Sequence, residues 1–369
     1  MKIALATDAW LPQVNGVVRT LTETVRQLQH FGHDVIVISP DQFANIPCPG
    51  YDEIRLALMP RFGVRKRLTD FAPDIVHIAT EGPIGWTARR WCLSREIPFT
   101  SAFHTRFPDY LAVRTGLDAK HFWPFMQRFH APSEAVLAAT PSLQTELAMR
   151  GISHTKPWSR GIDRQLFRPR IRPHSAIMNL PRPIQLCVGR IAVEKNLEAF
   201  LSGRTPGTRV LVGDGPARDK LQREFPEAVF LGALSGAELA SAYAAADVFV
   251  FPSLTDTFGL VMIEALACGV PVAAFPVPGP LDILGLDGRG AIHRHSHPAG
   301  ALDGNLDRAV VRALKVRRVD AAVLGQSFSW EASARQFEAA LLHALGDDAP
   351  LRPVIPASSH RPEVVISAV

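Results

Sequence analysis

The strand-to-helix passage at residues 248–271 constrains this chain more than any other feature of its sequence. An apolar strand at 248–252 is followed by a polar loop at 253–259 and an apolar helix at 260–267, which ends at Cys268-Gly269. Two acids, Asp256 and Glu264, bracket the glycine at the start of this helix. Backbone N–H groups at a helix start favour anions, whereas carboxylates repel phosphate and suit hydroxyl groups. The passage therefore predicts a site for a ligand that carries both phosphate and hydroxyl groups, such as a nucleotide sugar.

The same alternation of apolar strands and helices recurs along the chain and predicts parallel sheets covered on both faces. In the first half we expect strands at 2–6, 34–39, 74–78, 98–102 and 135–139, and helices at 16–31, 84–94, 119–129 and 142–150. After a polar connector at about 161–183, a second series has strands at 184–188, 209–212, 228–231, 248–251 and 270–273.

Two series of this kind predict an α/β protein with two doubly wound, Rossmann-like domains facing a central cleft. We expect the first domain at 1–165 and the second at 166–329, with a helix at 330–346 that crosses back to the first domain. Residues 347–369 are proline-rich and lack periodicity, which is typical of a flexible tail.

Composition excludes an integral membrane protein, since no apolar run approaches the roughly 18 residues that span a bilayer. The first residues enter a strand directly, without a signal-peptide pattern. Four scattered cysteines form no CxxC pair, which indicates buried thiols in a reducing compartment. We therefore expect a cytoplasmic protein.

The positive charge of the chain is concentrated in its first half. Residues 1–170 contain 21 Lys and Arg against 15 Asp and Glu, whereas the remainder contains 19 against 20. Basic clusters lie at Arg61, Arg65, Lys66, Arg67 and at Arg89-Arg90, and the stretch 120–129 adds aromatic residues between cations. Such a surface suits nucleic acid or an anionic membrane. For the basic clusters, the alternative is an ordinary solvated surface. For the stretch 120–129, the alternative is a helix that packs in the core.

Residues 189–196, directly after the strand at 184–188, place two cations five positions apart. Arg190 and Lys195 have the spacing to neutralise a diphosphate, and the alternative is a strand end with surface cations. The next strand leads into a Gly213-Asp214-Gly215 turn, and Leu234 follows the strand after that. Because carboxyl ends of parallel strands share one edge, both segments are predicted to lie near the nucleotide.

Two further candidates follow strands of the first domain. Gly16 opens a helix and allows close backbone approach of an anion. His104 follows the strand at 98–102 and is a candidate for hydroxyl contact or proton handling, although a single histidine is more often structural.

Several classes of site are not supported by the sequence. There is no GxGxxG turn for a dinucleotide oxidoreductase, no Walker motif, no HExxH and no Asp-x-Asp pair. His293, His295 and His297 alternate, but their Arg-, Ser- and Pro-containing context favours a solvated loop. We therefore expect no essential metal and no cofactor.

Taken together, these motifs resemble the retaining glycosyltransferases of family GT4, which have the GT-B fold. The resemblance extends to about Leu345 and implies that Asp256, in place of the family's usual glutamate, holds donor-sugar hydroxyls while Glu264 holds the ribose. It implies that Arg190 and Lys195 bind the diphosphate, and that Gly16 and His104 lie near the phosphate and the transferred sugar. Backbone amides of the sugar loop would contact sugar and phosphate; these residues are Thr257, Phe258, Gly259 and Leu260.

Residues 158–163, 255–261 and 276–282 narrow the resemblance to one branch of the family. That branch holds bacterial sulfolipid synthases, diacylglycerol glycosyltransferases and GDP-mannose-dependent mannosyltransferases. It implies a GDP-mannose or UDP-hexose donor, an N-terminal acceptor domain, a lipid acceptor at the inner face of the cytoplasmic membrane, and no nucleic-acid partner. A polysaccharide acceptor, an enzyme that epimerises or hydrolyses a nucleotide sugar, and a non-catalytic binding protein are the alternatives. Residues 285–300 fit the family pattern poorly and are assigned no role.

Overall fold

The computed structural model describes residues 1–13, 15–48 and 51–346, so the predicted tail at 347–369 lies outside the described residues. A parallel six-stranded sheet in the order β2-β1-β5-β6-β7-β8 forms the first lobe, and a separate antiparallel hairpin joins β3 to β4. These strands are β1 (Lys2–Ala6), β2 (Asp34–Ile38), β3 (Asn45–Cys48), β4 (Tyr51–Ala57), β5 (Ile75–Ile78), β6 (Phe99–Phe103), β7 (Ala135–Ala138) and β8 (Thr155–Pro157).

In the described residues, six α-helices accompany this sheet, and together they make up what we call the N-terminal lobe. They are α1 (Gly16–His30), α2 (Arg61–Phe71), α3 (Pro83–Arg95), α4 (Phe107–Thr115), α5 (Trp123–His130) and α6 (Pro141–Met149). Strands β1 and β5 to β7 carry almost wholly buried residues, because helices cover both faces of the sheet.

The second sheet has the order β11-β10-β9-β12-β13-β14 and is also parallel. Its strands are β9 (Ile184–Val188), β10 (Thr208–Val212), β11 (Val229–Phe230), β12 (Val248–Phe251), β13 (Val272–Ala274) and β14 (Gly300–Leu302). The helices of this C-terminal lobe are α7 (Leu197–Leu201), α8 (Arg218–Glu224), α9 (Gly236–Ala245), α10 (Leu260–Ala267), α11 (Pro278–Leu284), α12 (Leu306–Ala313) and α13 (Arg318–Gln326). The predicted pair of doubly wound parallel sheets is confirmed.

Strand order reverses between β9 and β12, which creates the crevice where such sheets bind ligands. The loops that follow these two strands are the Arg190 loop and the Asp256 loop, so both candidate segments lie at this switch point. The equivalent reversal in the N-terminal lobe lies between β1 and β5.

The last helix, α14 (Trp330–Leu345), packs on the N-terminal lobe although it follows the C-terminal lobe in sequence. Its Phe337 ring lies 4.7 Å from the His77 ring and 4.9 Å from the Trp158 ring. The chain crosses between lobes twice at one place, where Ile162 and Ser329 form an isolated β-bridge. Both crossings therefore share one hinge.

The structure differs from the sequence expectations in several places, among them 119–129, the hairpin β3–β4 and the last predicted strand. The prediction of one helix over 119–129 is wrong, because a 3-10 turn at Ala119–His121 precedes α5 and Pro124 fits only in the first turn of a helix. The hairpin β3–β4 was not predicted, since its antiparallel pairing interrupts the strand–helix alternation. The last predicted strand is shifted from 270–273 to Val272–Ala274.

Candidate functional site

The loop between β12 and α10 is built around a glycine that no other residue replaces without strain. Gly259 has φ +89° and is the N-cap residue of α10, with no side chain capping the helix. The buried ring of Phe258 anchors the loop against Phe328, at 6.1 Å between centroids. The first N–H groups of α10 therefore have no side-chain cap.

A lysine from the neighbouring strand end contacts this loop directly. Lys195 ends the 3-10 turn Val193–Lys195 after β9, and its Nζ lies 2.6 Å from Oδ1 of Asp256. Both side chains are partly exposed. Half-buried Arg190 belongs to the same β9 loop. The ion pair between Lys195 and Asp256 joins the loops that follow β9 and β12. It places a cation and an acid beside the uncapped start of α10.

Glu264 lies on the first turns of α10 and is almost fully buried, at 1% exposure. One carboxylate oxygen accepts a 2.9 Å hydrogen bond from Tyr243 Oη on α9, and the other pairs with the guanidinium of Arg19 on α1. Burial raises the pKa of Glu264, and the charge of Arg19 and the Tyr243 hydroxyl act against that rise. The ion pair crosses between the lobes.

His104 follows β6, where it meets the sugar loop of the opposite lobe. Its backbone carbonyl accepts a 3.0 Å hydrogen bond from Thr257 Oγ1. The side chain is buried, its Nδ1 lies 3.2 Å from Nη2 of Arg160, and its ring meets Trp158 edge-on at 5.2 Å. Burial, followed by the charge of Arg160 and an electrostatic interaction with the His77 imidazole, lowers the pKa of His104 well below its usual value. The imidazole is therefore neutral near pH 7.

The glycine and leucine candidates occupy the same cleft and its border. A Cβ on Gly16 would lie 3.4 Å from Cδ1 of Leu260, so α1 and α10 approach each other end to end across the lobes. The Asn15 side chain accepts from the N–H groups of Val17 and Val18, which uses two donors of the anion site predicted at this helix start.

Gly213 takes φ +142° and packs directly against the carbonyl of Gly189. Its N–H donates to Gly232 O at 2.8 Å, so the ends of β9, β10 and β11 are tied side by side. Leu234, two residues on, is half-buried against the C-terminal core. Gly213 and Leu234 thus follow β10 and β11, at the same edge of the sheet as the Arg190 loop.

Within the described ranges, no group of three or more His, Cys, Asp or Glu side chains is arranged to hold a metal ion. Of the three alternating histidines, His293 packs edge-on against Phe328 at 4.7 Å. Cys92, Cys187 and Cys268 are buried thiols, and burial raises the pKa of each to about 12.

Sequence reasoning missed the residues that connect the site to its surroundings. Arg19 and Tyr243 lie inside helices that carry no motif, and only the fold brings them to Glu264. Another contact across the lobes joins Asp282 on α11 to the backbone N–H of Ser142 at 3.2 Å and to its hydroxyl. The segment containing Arg160 is a branch signature in the sequence, but its position beside His104 follows only from the fold.

Comparison with known proteins places these features in a family. The family description "Glycosyltransferase Family 4" matches residues 14–166, and "Glycosyl transferases group 1" matches residues 182–303. A GDP-mannose-dependent alpha-mannosyltransferase of Mycolicibacterium smegmatis is 34% identical over 77% of this chain and 82% of that protein. The sulfoquinovosyl transferase SQD2 of Arabidopsis thaliana is 32% identical over 75% and 60%, respectively. An alpha-monoglucosyldiacylglycerol synthase of Streptococcus pneumoniae is 26% identical over 82% and 77%.

Among solved structures, sucrose-phosphate synthase from Thermosynechococcus elongatus has the same arrangement of both lobes. It superposes with a TM-score of 0.68 at 23% identity, over 92% of this chain and 97% of that one. The expected GT-B fold is thereby confirmed. The chain belongs to glycosyltransferase family 4 and is a hexosyltransferase that uses a nucleotide-sugar donor.

Proposed function

We propose that this enzyme transfers a hexose, with retention at the anomeric carbon, from a nucleoside diphosphate sugar to a hydroxyl of a membrane lipid. The observation that carries the proposal is the 2.6 Å contact between Lys195 and Asp256. It puts a cation suited to diphosphate and an acid suited to sugar hydroxyls side by side at the start of α10. A diphosphate sugar offers negative charge to the cation and hydroxyl groups to the acid.

Each candidate residue takes one part of the donor. Arg190 and Lys195 bind the diphosphate, together with the N–H groups at Thr257, Phe258, Gly259 and Leu260. Asp256 and His104 contact hydroxyls of the transferred hexose, and Gly16 lets α1 approach the phosphate. Glu264, held by Tyr243, accepts from the ribose hydroxyls. Gly213 and Leu234 border the base.

Catalysis in this arrangement is electrostatic. Negative charge accumulates on the diphosphate as the bond to the anomeric carbon breaks. Arg190, Lys195 and the helix N–H groups are already oriented, so they stabilise this charge without rearrangement of solvent. The departing phosphate oxygen takes the proton of the acceptor hydroxyl on the same face of the sugar, which retains configuration. Closure of the lobes excludes water that would hydrolyse the donor.

The donor is the first property to determine. The relative from Mycolicibacterium smegmatis is named for GDP-mannose, which makes GDP-mannose the first candidate at 34% identity. UDP-hexoses are the second. Most proposed contacts go through backbone groups, which do not discriminate between bases.

A basic face of the N-terminal lobe supports a lipid acceptor. Helix α2 packs on α3, and Arg89 of α3 donates to the carbonyls of Arg128 and Phe129 on α5. The cations of this face are Arg61, Arg65, Lys66, Arg67, Arg89, Arg90 and Arg128, and in the described part of the chain only Lys66 pairs with an acid. Beside them Met59 is 91%, Phe62 83% and Phe125 50% exposed. Exposed apolar side chains among unpaired cations suit an anionic bilayer surface.

One face of the stretch at 120–129 is core, as one interpretation expected. Trp123, Met126 and Phe129 are buried, and only Phe125 of its exposed side is a large apolar residue. No helix of the described residues is both long and apolar enough to cross a bilayer. The proposed attachment is through the basic face, as a peripheral contact at the inner face of the cytoplasmic membrane.

One screen tests the proposal. Purified enzyme is supplied with GDP-mannose, UDP-glucose or UDP-galactose, with and without diacylglycerol vesicles, and nucleoside diphosphate release and lipid products are measured. We expect lipid-dependent release and an α-linked glycolipid. Release without any acceptor indicates a hydrolase, a glycosylated soluble acceptor indicates a polysaccharide pathway, and donor binding without turnover indicates a binding protein.

Sedimentation with vesicles tests the membrane contact separately. We expect binding to vesicles that contain phosphatidylglycerol but weak binding to phosphatidylcholine alone. The combined change Arg61→Gln, Phe62→Ser and Arg65→Gln should reduce binding at least tenfold. The matched change Arg223→Gln, Val319→Ser and Arg308→Gln, on exposed positions of the C-terminal lobe, should not. Equal binding by both variants would exclude this face.

A further inference from the structure

Arg160 is a buried cation without a nearby acid. The residue is 6% exposed, and within residues 1–13, 15–48 and 51–346 no carboxylate lies in ion-pair distance of its guanidinium. Burial lowers its pKa to about 9, so the side chain remains protonated at neutral pH. A buried, unpaired charge is costly. A cost of this kind is expected where the charged side chain has a function.

The contacts of Arg160 are with hydrogen-bond acceptors and one aromatic ring. Its Nη1 donates to the carbonyl of Trp158 at 2.6 Å, and its Cζ lies 4.7 Å from the centre of the Trp158 ring. Its Nη2 lies 3.2 Å from Nδ1 of His104. The guanidinium is thus fixed from two sides and directed at the imidazole.

That contact determines where the imidazole proton is. A guanidinium only donates hydrogen bonds, so Nδ1 of His104 must accept. A neutral imidazole that accepts through Nδ1 carries its proton on Nε2. The Nε2 atom is buried and has no hydrogen-bond partner among the described residues. His104 therefore offers one N–H donor, on a residue whose backbone carbonyl contacts Thr257 of the sugar loop.

We propose that Arg160 is a positioning residue that holds His104 in the neutral, Nε2-protonated tautomer, so that Nε2–H donates to a hydroxyl or ring oxygen of the transferred sugar. The inference rests on the proposed donor site. It adds the residue that makes His104 the hydrogen-bond donor, and not the acceptor, in its contact with the sugar. Without Arg160, either nitrogen carries the proton, and a fraction of the molecules presents a lone pair where a donor is required.

Few other groups act on this imidazole. The titratable or charged groups that influence it are Arg160 and His77. Burial lowers the pKa of His77 to about 3, so His77 is neutral. Trp158, which packs on the ring, and Thr257, which contacts its carbonyl, carry no charge. Loss of Arg160 should therefore let His104 protonate at higher pH than in the wild type.

The test combines a spectroscopic readout with kinetics. In protein labelled with ¹⁵N-histidine, we expect His104, assigned by comparison with His104→Gln, to show protonated Nε2 and unprotonated Nδ1 at pH 6.5 to 8. In Arg160→Met we expect a mixture of tautomers, a kcat reduced at least tenfold, a donor KM changed less than threefold, and an activity loss towards acidic pH. Arg160→Lys, which keeps a donor, should recover part of kcat. Arg164→Met, four residues on and bonded to the Phe328 carbonyl, is the control.

Three results would overturn the inference. One is wild-type His104 protonated on Nδ1 or on both nitrogens at neutral pH, a measurement that does not depend on the folding of Arg160→Met. The second is an unchanged tautomer in folded Arg160→Met, and the third is losses that multiply when this change is combined with His104→Gln. If His104→Gln alone keeps full kcat, the proposed sugar contact is wrong, while the spectrum still tests the tautomer by itself.

Discussion

Arg19 and Glu264 form an ion pair that joins the two lobes of the enzyme, from the first turns of α1 to the middle of α10. The arginine is one-third exposed at its side chain, whereas the glutamate is buried. Since Glu264 is also the proposed ribose contact, a bound donor must share this carboxylate with Arg19 or displace it. The contact between the lobes and the binding of the donor therefore both involve the Glu264 carboxylate.

Tyr243→Phe should weaken donor binding. The change removes the 2.9 Å hydrogen bond to Glu264 and leaves a buried carboxylate oxygen without its donor. A hydrogen bond to a charged group contributes about 1.5–3 kcal/mol, so the donor KM should rise at least tenfold, with kcat reduced less. Steady-state kinetics measure both. An unchanged KM would show that Glu264 does not need this support.

Lys195→Ala should reduce kcat at least tenfold, or by about 1.4 kcal/mol or more of barrier. The lysine neutralises charge that appears on the diphosphate, so its loss affects the transition state more than the bound donor. Lys220→Ala is the matched control, because Lys220 is an exposed lysine of the same lobe that pairs with Glu198. Equal rates for the two variants would remove Lys195 from the site.

Gly259→Ala should abolish donor binding beyond its effect on stability. Alanine at φ +89° costs about 1–2 kcal/mol, and its Cβ would lie 2.7 Å from Met262 Cε and 3.0 Å from Phe251 Cζ. The loop must shift, and its N–H groups shift with it. Gly32→Ala, at φ +86° with open space around it, should lose similar stability but keep activity. Calorimetric titration with nucleoside diphosphate and thermal melting separate the two effects.

Asp282→Ala should favour an open arrangement of the lobes. Asp282 accepts from the first turn of α6 across the cleft, where a carboxylate also suits the helix dipole. We expect a larger radius of gyration by small-angle scattering and a several-fold higher donor KM. Asp307→Ala removes a comparable carboxylate, which accepts from Arg204 and Thr205 within one lobe, and should leave the radius unchanged. The same radius for both variants contradicts a closing role for Asp282.

Asp8 should make stability fall as pH rises. Burial is the main cause that raises the pKa of Asp8 to about 6, against hydrogen bonds from Ile84, Thr80 and Gly85. The folded state therefore holds this proton more tightly than the unfolded chain, and stability from this group is complete below about pH 4 and is lost as pH rises through 6.

Relative to Asp8→Asn, which keeps an oxygen acceptor without the charge, wild type should lose about 2 kcal/mol of unfolding free energy between pH 4 and pH 8. Urea denaturation at both pH values measures this difference. Asp70→Asn, an exposed acid paired with Lys66, should show little change. A pH-independent difference between wild type and Asp8→Asn would contradict a raised pKa.

Local sequence was sufficient for the elements that carry the donor loops. The strand at 248–251, the helix at 260–267 and the glycine stop after it agree with β12, α10 and Gly269 at φ +76°. These predictions succeed because periodicity, helix-stop residues and turn glycines act over a few residues. The resemblance extended them to a family, and the comparisons confirmed that family.

Only the tertiary structure decided what each site residue contacts. Sequence supplied Lys195, Asp256, Glu264 and His104 as candidates, but their partners lie 61 residues away for Lys195 and 245 for Glu264. Arg19 and Tyr243 are ordinary residues in their own helices, and no local pattern distinguishes them. Arg160 lies in a signature segment, but the sequence does not indicate its contact with His104. Their roles follow from two sheets whose carboxyl ends face each other and from a hinge that brings Arg160 under His104. Spacing along the chain determines secondary structure, whereas contacts across a cleft depend on how the lobes pack.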